Sequence, residues 1–316
     1  ALRPAYSSGW LMTVKQRHLQ DTIHDYDAIF IGSSRVYRAF DPTQFEALMS
    51  QRGEAIKTYN FGVPGLRPHE MQLLLDDIVA AKPKRLKYVF IELMEWYPPI
   101  LNDLRRSDRT VHWHTLENTF SAMKTVWLQP ISRSEKYVQL LEHANRWLKR
   151  TTNYARGLQR IAQLIALPQQ TTTLKRQHGF VSTDQERGPY FDNRRATFLE
   201  KYRDISLQQI DQIDAKNREA GSLESFPLAT LLKQHNKLER AGLVPIYVLP
   251  NVRWGTPGLH LLKSHGHLER LLIFNLRSRY PELYVEEHYF DRGHLNGKGA
   301  QHFTRLMAQE FGKLIK

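Results

Sequence analysis

The chain has 316 residues, 41% of them hydrophobic and 24% charged, with no cysteine and a net charge of +13 from 45 basic and 32 acidic side chains. That length carries one large α/β domain or two smaller ones, and the composition is that of a packed globule, not of a disordered chain. Without cysteine there is no disulfide, thiolate nucleophile or cysteine metal site, and the positive field draws anionic partners.

Residues 1–20 are mixed and basic and read as an N-terminal tether. The first residue is Ala, so a signal or membrane anchor removed ahead of it is the expectation. No apolar run reaches the length of a membrane span. Five short segments read as buried strands: Ala28–Ile31, Ala55–Asn60, Lys87–Leu93, Val244–Leu249 and Leu283–Glu286. Asp41-Pro42-Thr43-Gln44 is a helix start, with Asp as cap and Pro in the first turn, and that helix ends near Gly53. Pro68 opens a second helix through Met71, Leu74, Leu75 and Ile78. Strands alternating with helices predict an α/β fold, a doubly wound parallel sheet of five strands in the flavodoxin-like manner.

About 150 residues separate the third strand from the fourth, too many for one crossover. Val111–Leu167 has helical spacing, Pro168–Arg195 is polar and broken, and Ala196–Glu219 and Leu228–Ala241 return to helical spacing. The expected organisation is a sheet domain of residues 21–110 and 242–316 with a helical cap inserted at 111–241. Basic residues are scattered, with short clusters at Lys82–Lys87 and Arg105–Arg109. Few aromatics interleave with them, so nucleic acid is not the expected partner; an anionic glycan or an acidic lipid surface suits the charge better.

Three segments converge at the carboxyl ends of the strands, where open α/β sheets bind ligands. Gly32-Ser33-Ser34-Arg35 places hydroxyls at a strand end, either as a plain helix cap or as a nucleophile near free backbone N–H groups. In Tyr59-Asn60-Phe61-Gly62-Val63-Pro64-Gly65 the glycines permit a tight turn and close approach to a ligand. Asp291 and His294 lie three apart in a loop before the last helix. That spacing lets the carboxylate receive one imidazole N–H and leaves the other ring nitrogen free to take a proton. His112-Trp113-His114 and His265-Gly266-His267 lack a third ligand at metal spacing, so no metal is expected, and nothing in the pattern asks for a cofactor. Trp113, Trp127 and Trp147 read as cap packing.

In the chain order Ser, Asp, His, these segments resemble the SGNH (GDSL-type) hydrolase superfamily. The resemblance implies Ser34 as nucleophile, His294 as base, Asp291 as its orienter, and the N–H groups of Ser34 and Gly65 as oxyanion donors. It covers the sheet and not the cap. One block departs: where the superfamily ends its third strand in Gly-x-Asn-Asp, with Asn as a further oxyanion donor, this chain has Glu92 and Glu95. Asn251, Arg35 and Arg253 are the candidates for that place and for substrate binding. The altered block and the long insertion are similar to one branch, the membrane-tethered extracytoplasmic proteins that act with membrane-bound O-acyltransferases on cell-surface polysaccharides. The D-alanine transfer and alginate O-acetylation proteins are examples. The implied activity is a serine esterase or O-acyltransferase on acyl groups, acetyl first among them, of an exported polysaccharide, in the periplasm. The alternative is an inactive glycan-binding or scaffold component of the same kind of complex.

Overall fold

A computed structural model describes residues 10–94, 108–152, 178–202, 210–212, 214–215, 223, 226–251 and 258–316. The first part of the chain forms α1 (Trp10–Thr22), β1 (Ala28–Gly32), α2 (Ser34–Ala39), α3 (Pro42–Ser50), β2 (Thr58–Gly62), α4 (Pro68–Ala81) and β3 (Tyr88–Glu92). The insertion contributes α5 (Asp108–His112), α6 (Leu116–Leu128), α7 (Arg133–Thr152), α8 (Pro189–Thr197) and α9 (Leu228–Arg240). The chain closes with β4 (Val244–Leu249), β5 (Leu271–Ile273), β6 (Tyr289–Asp291), β7 (His294–Leu295) and α10 (Gly297–Leu314).

Strands β1 to β5 make one all-parallel sheet in the order β2-β1-β3-β4-β5, an α/β doubly wound fold. Parallel strands are covered by helices on both faces, which is why they read as continuous apolar runs. Ile29, Ile31, Val89, Ile91 and Tyr247 pack on one face with Met71, Leu74 and Leu75 of α4 and Leu231 and Leu238 of α9. Phe30, Phe90, Ile246 and Val248 pack on the other with Phe45 and Met49 of α3 and Phe303, Met307 and Phe311 of α10. The strand order reverses between β1 and β3, the switch point at which such sheets open a crevice beyond their carboxyl ends.

Local chemistry sets the element starts. The Asp41 side chain accepts from the N–H groups of Thr43 (2.9 Å) and Gln44 (3.4 Å), with Pro42 at the first position of α3. Pro68 opens α4, and the Glu70 carboxylate reaches back to the Arg67 N–H at 2.9 Å.

The structure departs from the sequence expectation in places. The fifth strand is Leu271–Ile273, not Leu283–Glu286. Pro281 opens a 3₁₀ turn, Pro281–Tyr284, that buries Leu283 and Tyr284 as plugs against the core, and a second such turn covers Glu286–His288. Within the supposed tether, residues 10–20 belong to α1, whose Met12, Val14 and Leu19 are buried. The insertion between β3 and β4 is helical where described, although the segment expected as irregular holds a 3₁₀ turn at Thr183–Gln185 and α8. A π turn, Phe198–Tyr202, follows α8. Residues 153–177 lie outside the described residues.

Lys15 explains why α1 docks. Its side chain is fully buried, and Nζ donates to the carbonyl oxygens of Asn60 (2.8 Å), Gly62 (2.8 Å) and Gly179 (2.7 Å). An ammonium has three donors, and all three are used. Burial, and secondarily the nearby Arg38 charge, hold its pKa well below the ordinary lysine value. The contact fastens α1 to the carboxyl end of β2 and to the 178–181 segment, which lies along that edge strand with the Asn60 N–H donating to the His178 carbonyl (2.9 Å). Among the described residues no helix is long and apolar enough to cross a membrane.

Candidate active site

The two adjacent serines after β1 have different tasks. Ser33 is the cap of α2: its Oγ accepts from the Arg35 N–H at 3.3 Å. Its own N–H donates to Glu92 Oε2 at 2.5 Å, and its Oγ lies 3.2 Å from Glu92 Oε1. Ser34 is the first residue of α2, so its N–H has no acceptor within the helix and stands at the positive end of the peptide dipoles. Its Oγ lies 2.7 Å from His294 Nε2. Gly32 makes the arrangement possible, because a Cβ there would collide with Glu92 and Val36.

His294 and Asp291 are brought together by a hairpin, not by the loop the sequence suggested. Strands β6 and β7 are antiparallel, and Asp291 and His294 are cross-strand partners on either side of the two-residue turn Arg292-Gly293. His294 Nδ1 lies 2.8 and 3.0 Å from the two carboxylate oxygens of Asp291. A carboxylate only accepts, so Nδ1 carries the proton and Nε2 presents its lone pair to the Ser34 hydroxyl. Asp291 is 5% exposed and accepts a further hydrogen bond from the Gly293 N–H at 2.8 Å. Burial alone would push its carboxyl up. The hydrogen bond and charge of His294, the Gly293 N–H and the charge of Arg194 outweigh that and hold it below the ordinary aspartate value.

The second segment forms the wall beside Ser34. Gly32 and Gly62 are register partners in β1 and β2, and the Val63 N–H donates to the Gly32 carbonyl at 2.9 Å. The chain then turns, with the Leu66 N–H on the Val63 carbonyl at 3.0 Å, Pro64 second and Gly65 third at φ +68°. A positive φ at the third position of a turn with proline second is the type II pattern, which favours glycine. Arg109 of α5 holds this turn in place. Nη1 donates to the Pro64 carbonyl at 2.8 Å, while Nε and Nη2 grip the Glu70 carboxylate at 2.5 and 2.8 Å.

The third-strand position is filled by an acceptor. The Glu92 side chain is fully buried at the end of β3, and Oε1 pairs with Arg35 Nε at 2.5 Å while its oxygens face Ser33. An ionised carboxylate cannot donate to an oxyanion. Arg35 stands within this network. Asn251 is buried and its Nδ2 donates to the hydroxyl of Tyr289, the first residue of β6, at 2.9 Å. Arg253 and Glu95 lie outside the described residues.

Three residues that sequence reasoning passed over complete the site. Arg194 of α8 donates from Nη2 to Asp291 Oδ2 at 2.6 Å. The same nitrogen is 3.2 Å from His294 Nδ1, but two donors face each other there and no bond joins them. Arg109 and Lys15 buttress the turn and the strand that lead to Gly65. Arg109 lies in a basic cluster and Arg194 in a stretch without apolar periodicity, so neither carries a signal that spacing could have revealed.

The arrangement can do nucleophilic chemistry: a hydroxyl in hydrogen-bond contact with an imidazole that a buried carboxylate orients, at the start of a helix. A scan of protein-family models gives no match to this chain, and a search of curated proteins gives none either.

Proposed function

We propose that this protein is a serine esterase or O-acyltransferase of the SGNH type, acting on acyl groups of an exported polysaccharide through an acyl-serine intermediate. The observation that carries the proposal is the continuous path Ser34 Oγ to His294 Nε2 (2.7 Å) and His294 Nδ1 to Asp291 (2.8 Å), built from opposite ends of the chain. His294 takes the Ser34 proton as the hydroxyl oxygen attacks the ester carbonyl. The oxyanion is held by the N–H groups of Ser34 and Gly65. His294 then returns the proton to the leaving alcohol, which leaves an acyl-serine. A second acceptor, deprotonated by His294, attacks the acyl carbon and frees Ser34. Water as acceptor gives hydrolysis, and a sugar hydroxyl gives transfer.

The polysaccharide assignment, the extracytoplasmic location, the membrane proximity and a membrane-bound acyltransferase partner follow from the resemblance to the polysaccharide-modifying branch and from the net charge of +13. One observation favours the rival reading, a glycan-binding scaffold without turnover: the buried Glu92 carboxylate stands where a third oxyanion donor would be. Hydrolysis of p-nitrophenyl acetate separates the two. The esterase reading predicts turnover that Ser34→Ala abolishes. Turnover equal in wild type and variant, or absent from both, favours the scaffold.

A further inference from the structure

Helices α4, α6 and α9 enclose a cleft of about 450 Å³ that none of the triad residues lines. That volume is within the range of small-molecule sites, roughly 300–1,000 Å³. Its lining is polar and divided between two kinds of group. Lys233–Glu117 (2.6 Å) and Lys237–Asp76 (2.5 Å) are ion pairs within the walls. Lys124 has no carboxylate partner among the described residues, so the lining carries one uncompensated positive charge. Beside it, Phe120 is 64% exposed.

Two buried polar atoms in the lining have no hydrogen-bond partner, Gln234 Nε2 and Ser121 Oγ. Gln234 is more than nine-tenths buried. Buried amides are rarely left without an acceptor, and such a donor marks a place where something else supplies one. Inward past Gln72 and Gln234 the cleft meets an apolar pocket lined by Met71, Leu93 and Met94, and this reaches residue 92 at the carboxyl end of β3. There Tyr247 Oη is likewise buried and unpartnered. The cleft therefore leads toward the sheet end that bears Ser34.

We infer that this cleft is a binding subsite for an acidic glycan, a chain of hydroxyl-rich rings bearing isolated carboxylates. Turned toward the cleft, the Gln234 amide and the Ser121 hydroxyl meet ring hydroxyls, an apolar ring face lies on Phe120, and a carboxylate meets Lys124. A densely charged polyphosphate fits poorly, because Asp76 and Glu117 stand in the same walls. A purely apolar ligand leaves the amide and the hydroxyl unpaired. The choice of glycan rests on the proposed action on polysaccharides; the cleft and its unpaired donors do not.

Isothermal titration of the whole chain tests this with tetrasaccharides of galacturonate, mannuronate and glucuronate, and with neutral cellotetraose. At least one acidic tetrasaccharide binds wild type more tightly than cellotetraose does. Lys124→Ala, Phe120→Ala and Gln234→Leu each weaken it about tenfold while circular dichroism shows an unchanged fold. The assignment is overturned if no tetrasaccharide binds wild type, if cellotetraose binds as well as the acidic ones, or if the three variants keep wild-type affinity. Binding is read without turnover, so a dead triad leaves the titration intact, and a failed titration leaves ester hydrolysis unaffected.

Discussion

The sheet end and the cap solve the problem of buried polar groups in opposite ways. At the sheet end the charged groups around Ser34 meet complementary ones: Lys15 with three carbonyls, Glu92 with Arg35 and Ser33, Asp291 with His294 and Arg194. In the cap two of the buried titratable groups, His114 and His143, are imidazoles that burial keeps neutral. The His114 Nδ1 proton goes to the Thr110 carbonyl at 2.5 Å, so its Nε2 accepts from His143 Nδ1 at 3.0 Å. His69 stacks on Trp113 beside them. The cap also leaves apolar side chains in solvent: Leu141 is 71% exposed and Trp127, expected to pack, is 58% exposed, while Trp113 is buried as expected. The difference teaches that the sheet end is organised for a fixed charge geometry, whereas one part of the cap is packed around neutral imidazoles that a proton can disturb.

The largest expected effect tests the fixed geometry. Asp291→Asn keeps the shape but removes the acceptor that selects the imidazole tautomer, and kcat for p-nitrophenyl acetate falls about 10⁴-fold. A fall of less than tenfold would mean that the hairpin carboxylate is not an orienter. Lys15→Met comes next. It strands three buried carbonyls, and urea denaturation should show a loss of about 3 kcal/mol. No loss would detach α1 from the stability of the sheet end.

The cap, together with His69 at the start of α4 on which it packs, responds to acid instead. Burial, as the leading cause, lowers the pKa of His69 to about 4, of His114 to about 2 and of His143 to about 3, against an ordinary value of 6.5. The unfolded histidines take protons below pH 6.5 and the folded ones do not. Stability is therefore fully present above pH 6.5 and falls as pH drops from there toward the folded values. At pH 5 the loss is about 2 kcal/mol for each histidine that stays neutral in the fold. Hydrogen exchange at pH 7 and pH 5 should show α5, α6 and α7 losing protection before β1 and β3. Simultaneous loss would erase the contrast between the two regions. The smallest effect concerns their contact. Arg194 is about one-third exposed, so solvent screens its charge and its contribution is mainly to hold Asp291 Oδ2. Arg194→Gln should lower kcat roughly fivefold with little change in KM.

The contrast also explains what could be read in advance. Strands β1 and β3 are apolar on both faces and announced themselves, and Asp41-Pro42 announced α3. Strand β5 is only Leu271–Ile273, too short to stand out, while Leu283 and Tyr284 imitate a strand because they too are buried. Ser34, Asp291 and His294 were legible because their contact follows from short spacing or from a strand end. Glu92 was noticed as a departure, but its role as acceptor for Ser33 and Arg35 depends on the register of β3 beside β1. Lys15 and Arg194 gave no sign, since a basic residue in a basic segment has no pattern until the chain brings its acceptors from elsewhere.

The measurement closest to the central claim is peptide mapping after treatment with a fluorophosphonate probe. A hydroxyl activated by His294 predicts a single adduct on Ser34, none on the neighbouring Ser33, and none in the His294→Ala protein. An adduct that persists without His294, or one carried by Ser33, would contradict the account.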